Sequence, residues 1–331
     1  MILTLNCVQE DKPGEKWQAL FNKTWPFYRK WFLSEGLLSR KGYLTSVNML
    51  QQYMPELLPV YEKLVALAGG GDLEARFLSM YCPPPYMSGC SQLAWKRDKI
   101  FLIRNYDYSP SLFEGALLYT GWLKPVIGVS DCNWGLLDGM NEDGLTLSLA
   151  FGGRNVVGEG FGIPLIIRYI LETCSSTAQA IRKLEYIPVH MAYNVTVIDA
   201  SGEYATAYLS PDKKPVIIKS PLATNQQEVI DWPYYAALTA TEERKRLLET
   251  IHVTPNETER TVIKKFLHPP LYTYNYEKNF GTLYTAFYDI SAGTISIEWP
   301  GEKIMQSFQT FREEKIQVHL TAGKVKKDIY K

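Results

Sequence analysis

The chain has 331 residues, 46% of them hydrophobic and 21% charged, a composition that supports a folded core and excludes a disordered protein. Its 35 basic and 35 acidic residues cancel, which argues against a global nucleic-acid or anionic-membrane surface. The first 80 residues lack obvious strand alternation and read as helical. Trp17, Leu20, Phe21, Trp25, Tyr28, Trp31 and Phe32 form one apolar face, which Pro26 is expected to interrupt. Val47 to Leu67 follow at helical spacing, with Ser46 as a cap and Gly69-Gly70-Gly71 as a stop. Asp72 caps a short helix through Phe77 and Met80. Cys82 to Gly89 contains three consecutive prolines, must be extended, and is the clearest boundary in the chain.

Strand texture begins after that boundary. Lys99 to Tyr106, Leu117 to Tyr119, Val126 to Val129 and Trp134 to Met140 read as strands. Asn141-Glu142-Asp143-Gly144 has hairpin-turn chemistry, and Leu145 to Phe151 is the return strand. Helices are expected over 163–173 and from Ser175 or Ser176 to Leu184. A hairpin pairs Val195–Asp199 with Tyr204–Tyr208. Polar amphipathic helices cover Arg244–Ile251 and Glu257–Phe266, and Leu283–Ile290 with Thr294–Trp299 form a last hairpin. This order predicts an α+β fold with a mostly antiparallel sheet core.

Several chemistries are excluded by absence of their motifs. There is no GxxxxGK[ST] loop, no GxSxG elbow and no HExxH pair. Gly158-Glu159-Gly160-Phe161-Gly162 lacks the third glycine of a dinucleotide fingerprint, so no cofactor and no metal are expected. Among only four histidines, His190 is the best candidate base and reads first as a structural residue. Five scattered cysteines without a CxxC pair fit a reducing, cytoplasmic setting. The N-terminal apolar run is too short for a secretory signal, and no run spans a membrane.

What remains is a constellation around Cys90, which follows Gly89 and opens the strand-rich region. Arg104-Asn105-Tyr106-Asp107 ends the next strand. An arginine near a thiol favours the thiolate, and a carboxylate can orient an adjacent amine. Strand alternation sends positions 104 and 107 to opposite faces, so serving one site demands a bend near Tyr106. Asn225, in Ala223-Thr224-Asn225, could present its amide to an oxyanion. Asn194 is the second choice for that role, and a backbone N–H near Gly152 the third.

The ordered set Gly89-Cys90, Arg104 to Asp107, Asp138 to Leu145, Asn194 to Gly202 and Ala223 to Asn225 resembles the N-terminal-nucleophile amidohydrolases. It is most similar to the isopenicillin-N acyltransferase-like branch, with choloylglycine hydrolases and penicillin V acylase as cousins. Gly281-Thr282-Leu283-Tyr284-Thr285 resembles a late family strand. The resemblance implies a four-layer αββα sandwich with antiparallel sheets. It implies a helical propeptide over 1–89 packed on a catalytic domain over 90–331, with a cut between Gly89 and Cys90. The freed Cys90 amine would be the general base, Cys90 the nucleophile, Asp107 its orienter, Arg104 the thiolate or substrate holder, and Asn225 the oxyanion donor. Phe151, Gly152 and Asn194 would face the substrate. The expected partner is a small-molecule amide or acyl donor, with water or an amine as acceptor, no nucleic acid, and self-association left open. Choloylglycine hydrolases carry a functional arginine late in the chain, and no counterpart is identifiable from sequence. The alternative is a non-catalytic binding protein of the same fold.

Overall fold

The computed structural model describes residues 1–321. Strand β1 (Ile2–Glu10) is followed by helices α1 (Glu15–Phe32), α2 (Tyr43–Tyr53), α3 (Leu58–Leu67) and α4 (Asp72–Leu78). Strands β2 (Gly89–Lys96), β3 (Ile100–Tyr108), β4 (Ala116–Thr120), β5 (Val126–Asp131), β6 (Gly135–Asn141) and β7 (Thr146–Phe151) come next. Helices α5 (Ile163–Thr173) and α6 (Thr177–Tyr186) lead to β8 (Tyr193–Ile198), β9 (Tyr204–Ser210), β10 (Lys213–Ile218) and the short β11 (Leu222–Ala223). The chain continues through α7 (Pro233–Leu238), α8 (Thr241–Val253) and α9 (Glu259–Phe266). It closes with β12 (Gly281–Asp289), β13 (Thr294–Trp299), β14 (Glu302–Ser307) and β15 (Lys315–His319).

Among the described residues the strands form two sheets. One runs β10-β9-β8-β7-β6-β5-β4-β1-β15 and the other β11-β2-β3-β12-β13-β14. β1 runs parallel to β4, and the remaining pairs are antiparallel. The two faces of the β2–β3 hairpin show how the layers stack. Leu93, Trp95, Phe101 and Ile103 pack with Leu248, Ile251, Val262 and Phe266 of α8 and α9. Cys90, Ala94, Leu102 and Tyr106 belong to the main core between the sheets. Across that core, Asp138 of β6 projects toward β3, while its neighbour Gly139 faces Leu171 of α5 on the far side. The result is four layers: α8–α9, the smaller sheet, the larger sheet, and α5–α6. This is the αββα arrangement expected above. Helix α5 is buried along nearly its whole length, packed on β6 and β7, and its Tyr169 hydroxyl donates to Glu56 in the turn between α2 and α3. No helix among the described residues is long and apolar enough to cross a membrane.

The first 80 residues are not wholly helical, which corrects the expectation for this segment. β1 buries Leu3, Leu5 and Cys7 at alternating positions. Its partners lie about a hundred and three hundred residues away, so its pairing carries no local signal. Pro26 does not interrupt α1, because Asn22, whose carbonyl loses its helical donor, is exposed to water. The expected Val47–Leu67 helix is instead divided at Met54-Pro55 into α2 and α3. Ser46 lies inside α2 and Asp72 is the first residue of α4, so neither caps its helix. The hairpin read as last is followed by β14 and β15.

Candidate active site

Cys90 stands opposite Tyr106 in the β2–β3 register, and Gln92 stands opposite Arg104. Directly paired residues share a sheet face, so all four side chains enter the space between the sheets. There Arg104 Nη2 donates to Cys90 Sγ at 3.0 Å. The other arm, Nη1, donates to Asp138 Oδ2 at 2.7 Å. The hydroxyls of Tyr284 and Tyr288 also donate to Asp138. The guanidinium carbon lies 4.9 Å from the centre of the Tyr106 ring. Arg104 is thus held by a buried carboxylate on one arm and turned onto the sulfur with the other. Burial nevertheless dominates the thiol and pushes its pKa up; the Arg104 charge and the Ser88 hydroxyl pull the other way without winning.

Asn225 follows β11 and reaches the start of β2. Its Oδ1 accepts the Cys90 backbone N–H at 2.9 Å, while Nδ2 donates to the carbonyls of Ser88 and Phe151, both at 3.0 Å. One side chain therefore straddles the Gly89–Cys90 peptide. Asn194 Nδ2 donates to the carbonyls of Thr224 and Gln226, on either side of Asn225. The Gly152 N–H donates to the Ala192 carbonyl. These two donors are spent on backbone, which corrects the substrate-facing roles expected of Asn194 and Gly152: they shape the Asn225 loop. Gly153 completes it, with φ +71 and room for no Cβ, since one would lie 2.2 Å from the Asn225 carbonyl oxygen. Phe151 is also buried; its carbonyl receives Asn225 and its ring meets Tyr235 edge-on.

Near Tyr106 the β3–β12 pairing shifts register, between Thr282 and Tyr284, but the β2–β3 pairing does not bend. The β2–β3 register runs unbroken, so Asp107 lies on the face opposite Arg104, opposite Gly89. Among the described residues it makes no hydrogen bond with Cys90. The approach is close all the same: a Cβ on Gly89 would sit 3.0 Å from Asp107 Cβ and 3.2 Å from Oδ2. Asp107 is gripped by the Thr282 hydroxyl and by Arg244 of α8, an ion pair almost fully removed from water. Arg244 is an arginine late in the chain that sequence reading did not single out for the site. Nothing local marks it within a polar helix; only folding α8 against the β2–β3 hairpin brings it to Asp107. Thr282 and Tyr284 lie in the late-strand motif, and Asp138 in the Asp-Gly-x-Asn-Glu motif, so these supports were signalled. His190 is buried, meets the Phe161 carbonyl and the Tyr193 hydroxyl, and is pushed down to about 3 by desolvation. It is a neutral structural residue.

The four-layer arrangement is that of an N-terminal-nucleophile hydrolase. Residues 95–303 match the family described as acyl-coenzyme A:6-aminopenicillanic acid acyl-transferase, and the chain belongs to that family. The match begins just past Cys90. No curated protein matches the sequence. Among solved structures, a mutant conjugated bile acid hydrolase from Clostridium perfringens is similar at 13% identity, over 70% of this chain and 97% of that one, with a TM-score of 0.46. A penicillin V acylase from Agrobacterium tumefaciens is similar at 16% identity, over 73% and 94%, with a TM-score of 0.44. An N-acylethanolamine-hydrolyzing acid amidase ortholog from Caenorhabditis elegans is similar at 14% identity, over 61% and 93%, with a TM-score of 0.41.

Proposed function

We propose that the protein is a self-processing amidohydrolase or acyltransferase with Cys90 as its nucleophile. The observation that carries this reading is the joint placement of Arg104 on the Cys90 sulfur and Asn225 across the Gly89–Cys90 peptide. In the first step the sulfur attacks the Gly89 carbonyl carbon, and the C–N bond breaks as the Cys90 nitrogen takes the thiol proton. Water then hydrolyses the Gly89 thioester. The products are a segment of 89 residues and one of 242 residues, the remainder of the 331. The new α-amine has a reference pKa of about 7.7–8.0, suited to a general base near neutrality.

In turnover the amine takes the thiol proton and the sulfur attacks the substrate amide carbonyl. The amine portion leaves with that proton, and the acyl thioester passes to water or to an acceptor amine. Arg104 stabilises the thiolate. Asp107 approaches the α-amine from the opposite sheet face, with Thr282 and Arg244 holding it. Withdrawal of the Ser88 carbonyl after the cut frees one Nδ2–H of Asn225 for the oxyanion. The 89-residue segment remains on the 90–331 unit, since β1 is hydrogen-bonded between β4 and β15.

Intact-mass analysis of natively purified protein tests this reading. Wild type is expected as two associated chains and Cys90→Ala as one. Full-length wild type with measurable amidase activity would refute the amine as base. A screen of acyl amides with processed protein then identifies the substrate.

A further inference from the structure

Beside the nucleophile lies a cavity of about 340 Å³. Tyr106, the cross-strand partner of Cys90, forms its inner wall, and Tyr28, Trp31, Tyr86 and Tyr108 supply further rings. At its floor the β5–β6 turn presents Asp131. We propose that this cavity binds a cationic amine carried by the substrate, held between the aromatic faces and the Asp131 carboxylate. The proposal rests on the reading of Cys90 as nucleophile only for which end of the reaction the amine belongs to.

The Tyr28 oxygen accepts the Cys132 N–H and has one proton to give. That proton goes to Glu114 Oε2 at 2.7 Å, which also accepts the Asn133 N–H, while Ser130 donates to Oε1. Glu114 is therefore supplied with donors. Asp131 Oδ1 lies 3.1 Å from the same tyrosine oxygen, which has no second proton for it. Among the described residues no lysine or arginine pairs with either carboxyl. Asp131 is thus met by a shared tyrosine hydroxyl and by Cys132 of its own turn but by no cation, in a cavity lined largely by aromatic residues. Aromatic faces carry negative potential and attract ammonium groups, more strongly when water is excluded.

The turn that delivers Asp131 is strained in a consistent way. Cys132 and Asn133 have φ of 55 and 69, a region that a cysteine seldom adopts. The charged and titratable neighbours of Asp131 are few. Glu114 faces it from the β3–β4 connection, Tyr28 from α1 and Cys132 from its own turn. Tyr86, Tyr106, Tyr108 and Tyr193 also bear on it, and Lys30 is an exposed residue of the cavity lining. Desolvation and the Glu114 charge push Asp131 up to about 7. Below that pH it keeps its proton, and above it the carboxylate is ready for a cation.

The test uses full-length Cys90→Ala protein, so binding is read without processing or turnover. Titration calorimetry compares tyramine with its neutral counterpart tyrosol and its anionic counterpart 4-hydroxyphenylacetate at pH 6 and pH 8. Tyramine is expected to bind about ten-fold tighter than tyrosol at pH 8, a factor that corresponds to ~1.4 kcal/mol. The preference should narrow at pH 6, where Asp131 is protonated and the ammonium is still charged. Asp131→Asn should abolish it. Should that variant fail to fold, Trp31→Leu, at the half-buried mouth, should weaken tyramine several-fold and leave tyrosol nearly unchanged. Equal or tighter binding of tyrosol, preference for the anion, no binding of any of the three, or discrimination left unchanged by either substitution would each overturn the proposal. Failure of wild type to cut at Gly89–Cys90 would instead bear on the nucleophile alone.

Discussion

Cys90 and Asn225 lie 135 residues apart and are joined by a hydrogen bond of 2.9 Å from the Cys90 backbone N–H to the Asn225 Oδ1. The same amide donates to Ser88 and Phe151 from its other end. Substitution at Asn225 therefore acts on processing as well as on turnover. Asn225→Ala is expected to slow the Gly89–Cys90 cut, read by intact mass over time. In whatever fraction is processed, kcat should fall by about 10²–10³ with KM less affected. Asn225→Asp should be worse, because a carboxylate would face both the Ser88 carbonyl and the oxyanion. Normal processing and kcat in Asn225→Ala would remove Asn225 from the oxyanion role.

Arg104 and Asp138 form a fully buried ion pair that also serves Cys90. Arg104→Ala leaves Asp138 charged and unpaired, so unfolding free energy in urea should drop by about 3–5 kcal/mol. Arg104→Lys should regain part of that stability. It should not regain activity, since one ammonium cannot reach Asp138 and the sulfur with a fork. If Arg104→Lys turns over like wild type, the two-armed geometry is dispensable.

Gly89→Ala should hinder processing by packing alone. The added methyl meets Asp107 Cβ and Phe280 Cζ, each at 3.0 Å, so one of them must move. Slower cutting of Gly89→Ala, with a thermal midpoint within a few degrees of wild type, is the expected result on mass spectrometry and calorimetry. Unchanged cutting would show that the Asp107 wall yields freely.

Two buried groups give stability opposite dependences on pH. His190 falls to about 3 in the folded state, so its stabilising contribution is present above about 6.5 and is lost as pH falls toward 3. The slope reaches at most ~1.4 kcal/mol per pH unit. Asp131 rises to about 7, so its contribution is fully present below about 3.9 and is lost as pH rises through 7. Between pH 7 and pH 5, His190→Asn should therefore flatten the fall in thermal midpoint, and Asp131→Asn should steepen it. Identical profiles for wild type and His190→Asn would mean that His190 titrates alike in the native and unfolded states.

The processed chains should stay together in native buffer. β1 holds β4 on one side and β15 on the other, and the Tyr28 hydroxyl of α1 reaches Glu114 in the later segment. Size-exclusion chromatography of cut protein should give one peak, separating only when denaturant melts the sheet. Two peaks in native buffer would contradict this.

Much of the site was readable before folding was considered. Cys90, Arg104 and Asn225 lie in short motifs whose spacing survives in one dimension, and helices such as α5 and α9 announce themselves through periodicity. The alternation rule also placed Arg104 and Asp107 on opposite faces, and the structure keeps them there. One site can nevertheless draw on both faces. A strand's backbone nitrogen lies in the sheet plane and can be approached from either side, so sulfur and amine can be served from different layers. Arg244, Tyr235 and β1 had no readable partner, because their contacts join segments separated by tens to hundreds of residues. Sequence by itself determined the residue types, the local elements and the nucleophile candidate, since these depend on neighbours in the chain. Only the tertiary structure decided which donors are spent on backbone, which carboxyl lacks a cationic partner and which helix closes over Asp107. Those depend on burial and on hydrogen bonds between distant strands, and no local pattern encodes either.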